Sequence, residues 1–140
     1  MKRAPSRTLN RYELETLGRE WQKRLRLDGW QIFFHLVKQS AIPGSFGMNS
    51  TYSAHMRANV SVLDPEDNEC DEPGEIVYLP EVTLVHEMLH CSMHQLGLDD
   101  RDDLKLHKEQ AIQTLATALV SAKYGVENVA EFYPWEQEVA

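Results

Sequence analysis

The chain contains no apolar run near the roughly 20 residues that a membrane-spanning helix requires, so no segment reads as a membrane span. Its N-terminus is basic but lacks the apolar core of a secretory signal, and the default expectation is a cytoplasmic location. Cysteine is scarce. Cys70 falls in an acidic stretch and Cys91 in a helical one, too few for a disulfide framework, and both are expected to be reduced. There is no internal repeat and no low-complexity tract, which sets aside solenoids and biased linkers. Positive charge is also in short supply: 14 Lys and Arg against 22 Asp and Glu give a net charge of −8, which argues against nucleic acid as the main partner. The imbalance is uneven, with +5 on residues 1–27 and −13 on residues 28–140. A basic arm of this kind more often solvates a helix, or lies on the body's own acidic face, than it grips phosphates.

What is present is the composition of a globular domain, 42% hydrophobic and 9% aromatic, in 140 residues. One domain is expected over residues 1–125, followed by an apolar tail, 126–140, with Phe132, Tyr133 and Trp135 around Pro134. The first helix is announced by Asn10 as cap, Glu13 three residues on for a capping box, and a staple between Leu9 and Leu14. Leu14, Leu17, Trp21 and Leu25 form its stripe, and Gly29 is the expected stop. Trp30 to Val37 is β-branched and aromatic and reads as a strand, with His35 as a packed or hydrogen-bonded core residue. A loop is expected over Ala41–Asn49, then two short strands, Thr51–Arg57 and Val60–Leu63, joined by a turn at Ala58-Asn59. Asp64 to Glu75 carries seven acidic residues but not the calcium-loop pattern, so it reads as a solvated loop. Ile76-Val77-Tyr78 reads as a short returning strand.

Pro80 suits the first turn of the next helix and Glu81 its positive dipole end; Gly97 suits its stop. Val85, Met88, Leu89, Ser92 and Leu96 are its expected packing face. A last helix is expected from Leu104 to Tyr124, stopped by Gly125, with Ile112, Leu115, Ala116 and Leu119 inward. Together these elements predict an α+β domain: an N-terminal helix, a small mixed or antiparallel sheet, and two C-terminal helices.

The chemistry sits in the first of those two helices, at His86-Glu87-Met88-Leu89-His90. Residues four apart stack on one helical face, so both imidazoles can reach one ion, and a glutamate beside them can hold a metal-bound water. A catalytic zinc wants a third protein ligand and leaves a fourth position open. His94 fails: it lies two turns from His86, about 12 Å along the axis, whereas nitrogens on one zinc lie within roughly 4 Å of each other. Glu109, His107 and the aspartates of 99–103 remain. Glu109 is favoured, because it lies three residues before Ile112 and seven before Ala116, on or near the buried stripe, where a carboxylate needs a partner. Two histidines and a carboxylate also match the facial triad of non-haem iron enzymes, but a hydrolase has a use for Glu87 and an oxygenase does not. In this reading His86, His90 and Glu109 hold Zn2+ and Glu87 is the general base toward a protein or peptide substrate. Gln113 is placed to hydrogen-bond a ligand histidine. Tyr78, His55, His107, Tyr124 and Tyr133 are candidates to stabilise an oxyanion. Two other readings use the same residues: a non-catalytic, metal-stabilised interaction module, and a metal-dependent hydrolase of a non-peptide substrate.

The segment Glu81-x-Thr83-Leu84-x-His86-Glu87-Met88-Leu89-His90, followed by Glu109-x-x-Ile112-x-x-Leu115-Ala116-x-x-Leu119, resembles the small gluzincin-type zinc metallopeptidases. It is similar to compact phage and bacterial proteins, including the ImmA/IrrE-like group, over roughly residues 28–120. The resemblance implies a zincin-like fold, a short twisted sheet on the metal helix, and an edge strand (near Thr51–Arg57 or Val60–Leu63) that binds extended peptide. It also implies His86, His90 and Glu109 as ligands and Glu87 as base. The SprT-like proteases share a similar Thr-Leu-x-His-Glu-Met-x-His segment, but their third ligand is a histidine before glycine, where this chain has His107-Lys108. Larger gluzincins carry an aspartate one turn beyond the ligand glutamate, where this chain has Gln113.

Overall fold

The computed structural model describes residues 5–69 and 78–129. It is an α+β architecture of three helices and one three-stranded mixed sheet: α1 (Arg11–Arg24), β1 (Gln31–Val37), β2 (Gly47–Tyr52), β3 (Arg57–Leu63), α2 (Pro80–Gln95) and α3 (Lys105–Tyr124). The expected strand Ile76–Tyr78 falls mostly outside the described residues, and Tyr78 itself belongs to no strand. Cys70 and the aromatic tail residues Phe132, Tyr133 and Trp135 also lie outside them.

α1 opens with the capping box: Asn10 Oδ1 accepts from the Glu13 amide at 2.8 Å, and Glu13 Oε1 accepts from the Asn10 amide at 3.0 Å. It does not run to Gly29. The chain turns at Arg26, in the left-handed region at φ 59, and the Leu27 amide closes back on the Gln22 carbonyl at 2.8 Å. The buried Gln22 amide then donates to the Leu27 and Trp30 carbonyls at 3.0 and 2.7 Å, so a side chain does the stopping that glycine was expected to do. Leu14 and Trp21 are buried, and Gly18 lies against the ring of Phe34 on β1. A Cβ at Gly18 would sit 2.5–2.7 Å from that ring. Gly18→Ala is therefore expected to destabilise the protein by about 1–3 kcal/mol despite alanine's better helix propensity. Urea titration reads this directly, and an unchanged midpoint would mean that the ring simply moves aside.

The sheet order is β1-β3-β2, with β1 parallel and β2 antiparallel to β3. β2 begins at Gly47, inside the loop expected over Ala41–Asn49, and the turn between β2 and β3 is made by Ser53–Met56, with Met56 left-handed at φ 51, rather than by Ala58-Asn59. Ala58 and Asn59 are mid-strand instead, because Ala58 is fully buried opposite Ile32. Register places Ile32, Phe34 and Leu36 of β1, Ala58, Val60 and Val62 of β3, and Gly47, Asn49 and Thr51 of β2 on one face. α1 covers the β1 end of that face and α2 the β3 and β2 end; α3 packs on α2 from outside. The opposite face carries exposed side chains, Phe33, Met48 and Tyr52 among them. His35 sits there, exposed, with Nε2 2.9 Å from Asn59 Oδ1, and is not a core residue.

α2 buries Leu84, Val85, Met88 and Cys91 completely, whereas Leu96, expected inside, is 67% exposed beyond its end. Burial holds the free Cys91 thiol near a pKa of about 12, with the Asp99 charge adding to the effect. α3 buries Ile112, Ala116 and Val120, a spacing of four, while Leu115 turns outward. Past Gly125 the chain still packs on α3: Val126 and Val129 are buried, and the Val129 amide donates to Ser121 Oγ. No helix among the described residues is long and apolar enough to cross a membrane.

Candidate metal centre

α2 enters the core with Pro80 at its first turn and Glu81 beneath it, and ends where the Leu96 amide returns to the Ser92 carbonyl and Gly97 turns left-handed at φ 70. With Leu84, Val85, Met88 and Cys91 facing the core, the helix must carry His86, Glu87 and His90 on the side toward β2 and α3. These three each offer an atom within 4.8 Å of the other two.

Each imidazole is gripped by its Nδ1. That of His86 lies 2.8 Å from Gln113 Oε1 on α3, and that of His90 lies 3.0 Å from Asp99 Oδ1 in the α2–α3 connection. A carboxylate accepts only, so the contact with Asp99 places a proton on His90 Nδ1; the Gln113 amide does the same for His86 when its oxygen faces Nδ1. Both Nε2 atoms then turn toward one carboxylate from α3: His86 Nε2 lies 3.1 Å from Glu109 Oε2, and His90 Nε2 lies 3.2 Å from Glu109 Oε1. In neutral imidazoles those Nε2 atoms are bare lone pairs facing carboxylate lone pairs. Such a cluster is satisfied only by positive charge placed among its members, as protons on the rings or as a cation between nitrogen and oxygen. The donor set, two imidazole nitrogens and a carboxylate with outer partners fixing both rings, fits a zinc ion.

Glu87 stands to one side of the two imidazoles, toward the sheet. The residue is 8% exposed, and its carboxylate accepts from Asn49 Nδ2 of β2 at 2.9 Å. Burial pushes its pKa above the ordinary carboxylate range; the Asn49 hydrogen bond and the two neighbouring imidazoles pull against that, and the Glu109 charge adds to it. β2 comes this close because residue 47 is glycine: a Cβ there would stand 2.6 Å from Thr83 Cγ2 and 2.9 Å from Glu87 Oε2. Ser45, Phe46 and Gly47 form one wall of a cleft of about 300 Å3, and Thr83, His86, Glu87, Glu109 and Gln113 complete it.

The other residues singled out by sequence scatter. His94 points away from the Glu109 carboxylate; its Nε2 lies 2.8 Å from Asp99 Oδ2 and also meets Thr51 Oγ1 of β2. His107 is exposed on the first turn of α3, with no bond to either imidazole. Of the aspartates, only Asp99 joins the cluster, behind His90 rather than in front of it. Tyr78 is buried with its hydroxyl donating to the Leu63 carbonyl, and Tyr124 donates to Glu81, so neither faces the cleft. His55 lies in the exposed turn after β2, and Tyr133 is outside the described residues.

Sequence reasoning did not find Asn49, Gly47 or the role of Asp99. For Gly47 and Asn49 a signal existed: alternation across a strand beginning at Gly47 puts both on the face with Thr51. For Asp99 there was none, because a carboxylate in an acidic turn looks solvated until the fold sets it against two histidines. Partial burial opposes its charge, but hydrogen bonds from His90 and Lys108 outweigh that and hold its pKa below the usual range. No protein-family model matches the chain, and no curated protein or solved structure is significantly similar to it.

Proposed function

We propose that this chain is a zinc-dependent endopeptidase of the zincin type, acting in the cytoplasm on a protein or peptide substrate. The observation that carries the reading is the convergence of His86 Nε2 and His90 Nε2 on the two oxygens of Glu109, with both Nδ1 atoms already engaged behind them and Glu87 alongside. His86, His90 and Glu109 would hold the ion, which when bound supplies a Lewis acid that acidifies a water molecule and polarises a carbonyl.

The remaining work falls to side chains. Glu87 takes the proton of the attacking water on its carboxylate and returns it to the leaving amine, a role suited to a carboxyl whose pKa burial has raised. Asn49 holds Glu87 Oε1, which aims the second oxygen, Oε2, along the cleft beside Gly47. Among the described residues β2 pairs only with β3, on one side, and its other edge suits an extended peptide laid alongside the cleft. β3, the other strand proposed for this from the sequence, is central and has no free edge.

The test is Glu87→Gln, which keeps the shape and the Asn49 contact but cannot hold the proton. With a mixture of internally quenched peptides, the wild type is expected to cleave in a zinc-dependent manner. The variant is expected to keep its zinc and lose about 100- to 10,000-fold in rate. Equal cleavage by both proteins would remove Glu87 as the base. A wild type that binds one zinc and cleaves nothing would leave the metal-stabilised interaction module as the better reading.

A further inference from the structure

We infer that Asp99 is a positioning residue of this centre: a single carboxylate that fixes the ring of His90 and, through Lys108, the turn of α3 that delivers Glu109. The inference rests on the metal reading above for its functional meaning, though not for its geometry.

The Asp99 side chain is 12% exposed and is fully engaged. Oδ1 accepts from His90 Nδ1 at 3.0 Å and from Lys108 Nζ at 2.9 Å, and Oδ2 lies 2.8 Å from His94 Nε2. Lys108 Nζ also donates to the Asp99 carbonyl at 3.1 Å, so the ammonium grips both the side chain and the backbone of one residue. Through His94 the same carboxylate reaches Thr51 of β2. One acidic group thus joins the metal helix, the following helix and the edge strand.

The start of α3 needs such an anchor. The helix has no side-chain cap at Leu104; Lys105, Leu106 and His107 are exposed, and the first buried apolar residue is Ile112. A helix start with neither cap nor buried face frays. Glu109 lies in that start, immediately after Lys108. Fixing Lys108 sets both the rotation and the height at which Glu109 leaves the helix, since adjacent residues differ by about 100° and 1.5 Å. His94, rejected as a ligand by its spacing, takes its place in this brace.

The experiment measures zinc affinity, by competition with a chromophoric chelator, in the wild type, Asp99→Asn, Asp99→Ala and Lys108→Met. Alongside it, the 15N shifts of the His90 ring are recorded in metal-free protein, and circular dichroism checks that each variant is folded. Asp99→Ala is expected to weaken zinc by about 10- to 100-fold and to lose the Nδ1–H preference of His90. Asp99→Asn keeps an oxygen for His90 Nδ1, so it should retain the tautomer and fall between wild type and alanine in affinity. Lys108→Met should keep the tautomer, weaken zinc, and speed amide exchange over residues 106–110. A folded Asp99→Ala protein with wild-type affinity and an unchanged His90 ring would overturn the inference, as would an asparagine variant no better than alanine on both readouts. A wild type that binds no zinc would instead defeat the metal reading, and the His90 ring in metal-free protein would still judge Asp99.

Discussion

Glu109→Ala protein is expected to emerge from purification with little or no zinc, while His107→Ala protein keeps a full equivalent. Glu109 is the only described residue whose two oxygens each meet an Nε2 of the paired histidines, at 3.1 and 3.2 Å. Removing it leaves two imidazoles on one helix, an incomplete set for zinc, so the loss in affinity should exceed the roughly 100-fold typical of deleting an outer partner. The fold should survive, because the Glu109 side chain is 40% exposed and α3 is held by Ile112, Ala116 and Val120 further along. Metal content per mole of protein, measured by elemental analysis beside a circular dichroism spectrum, decides the matter. Full zinc in Glu109→Ala together with loss in His107→Ala would reverse the assignment of the third ligand.

The largest loss of stability is expected from a residue one turn before the motif. Glu81 is 3% exposed, and its carboxylate joins all three helices: it accepts from Trp21 Nε1 of α1 at 2.7 Å, and from Lys123 Nζ and Tyr124 OH of α3 at 2.6 and 2.5 Å. Glu81→Ala would leave the buried indole N–H without its acceptor and would strip Lys123 of its inner partner, and breaking one side of a buried ion pair costs about 3–5 kcal/mol. Lys123 retains Glu20 at 2.6 Å, so a loss of about 3 kcal/mol is expected, which is a fall of about 10 °C in melting temperature for a chain of this length. Glu81→Gln keeps the acceptor and the volume and should lose less. A melting temperature in Glu81→Ala within a degree or two of wild type would show that water replaces the carboxylate at no cost and that the junction does not hold the helices together.

Local chemistry made some of this legible. The capping box of Asn10 and Glu13, the proline start and glycine stop of α2, and the end of α3 at Gly125 each depend on a few neighbouring residues, and those elements lie where the residues put them. The misplacements come from longer range. Gly29 was expected to stop α1, but Gln22, seven positions earlier, closes the turn with its own amide. Ala58-Asn59 looked like a turn, but Ala58 is a fully buried mid-strand residue of β3 opposite Ile32. Leu96 and Leu115 are apolar and at helical spacing, but both are exposed in the fold. Glu81 read as a partner of the helix dipole, and the fold also makes it a buried junction.

The residues of the candidate centre divide in the same way. That His86 and His90 share a helix face with Glu87 to one side of them, and that His94 cannot join them, follows from the pitch of the α-helix and is determined by the sequence alone. That Glu109 rather than His107 faces them, that Asn49 holds Glu87, and that Asp99 stands behind His90 depends on the angle between two helices and on the approach of an edge strand. Packing sets that angle and that approach, through Ile112, Ala116 and Val120 on one side and through the missing side chain of Gly47 on the other. Spacing along one helix is a local property and can be counted, whereas contacts between elements exist only once the core has closed.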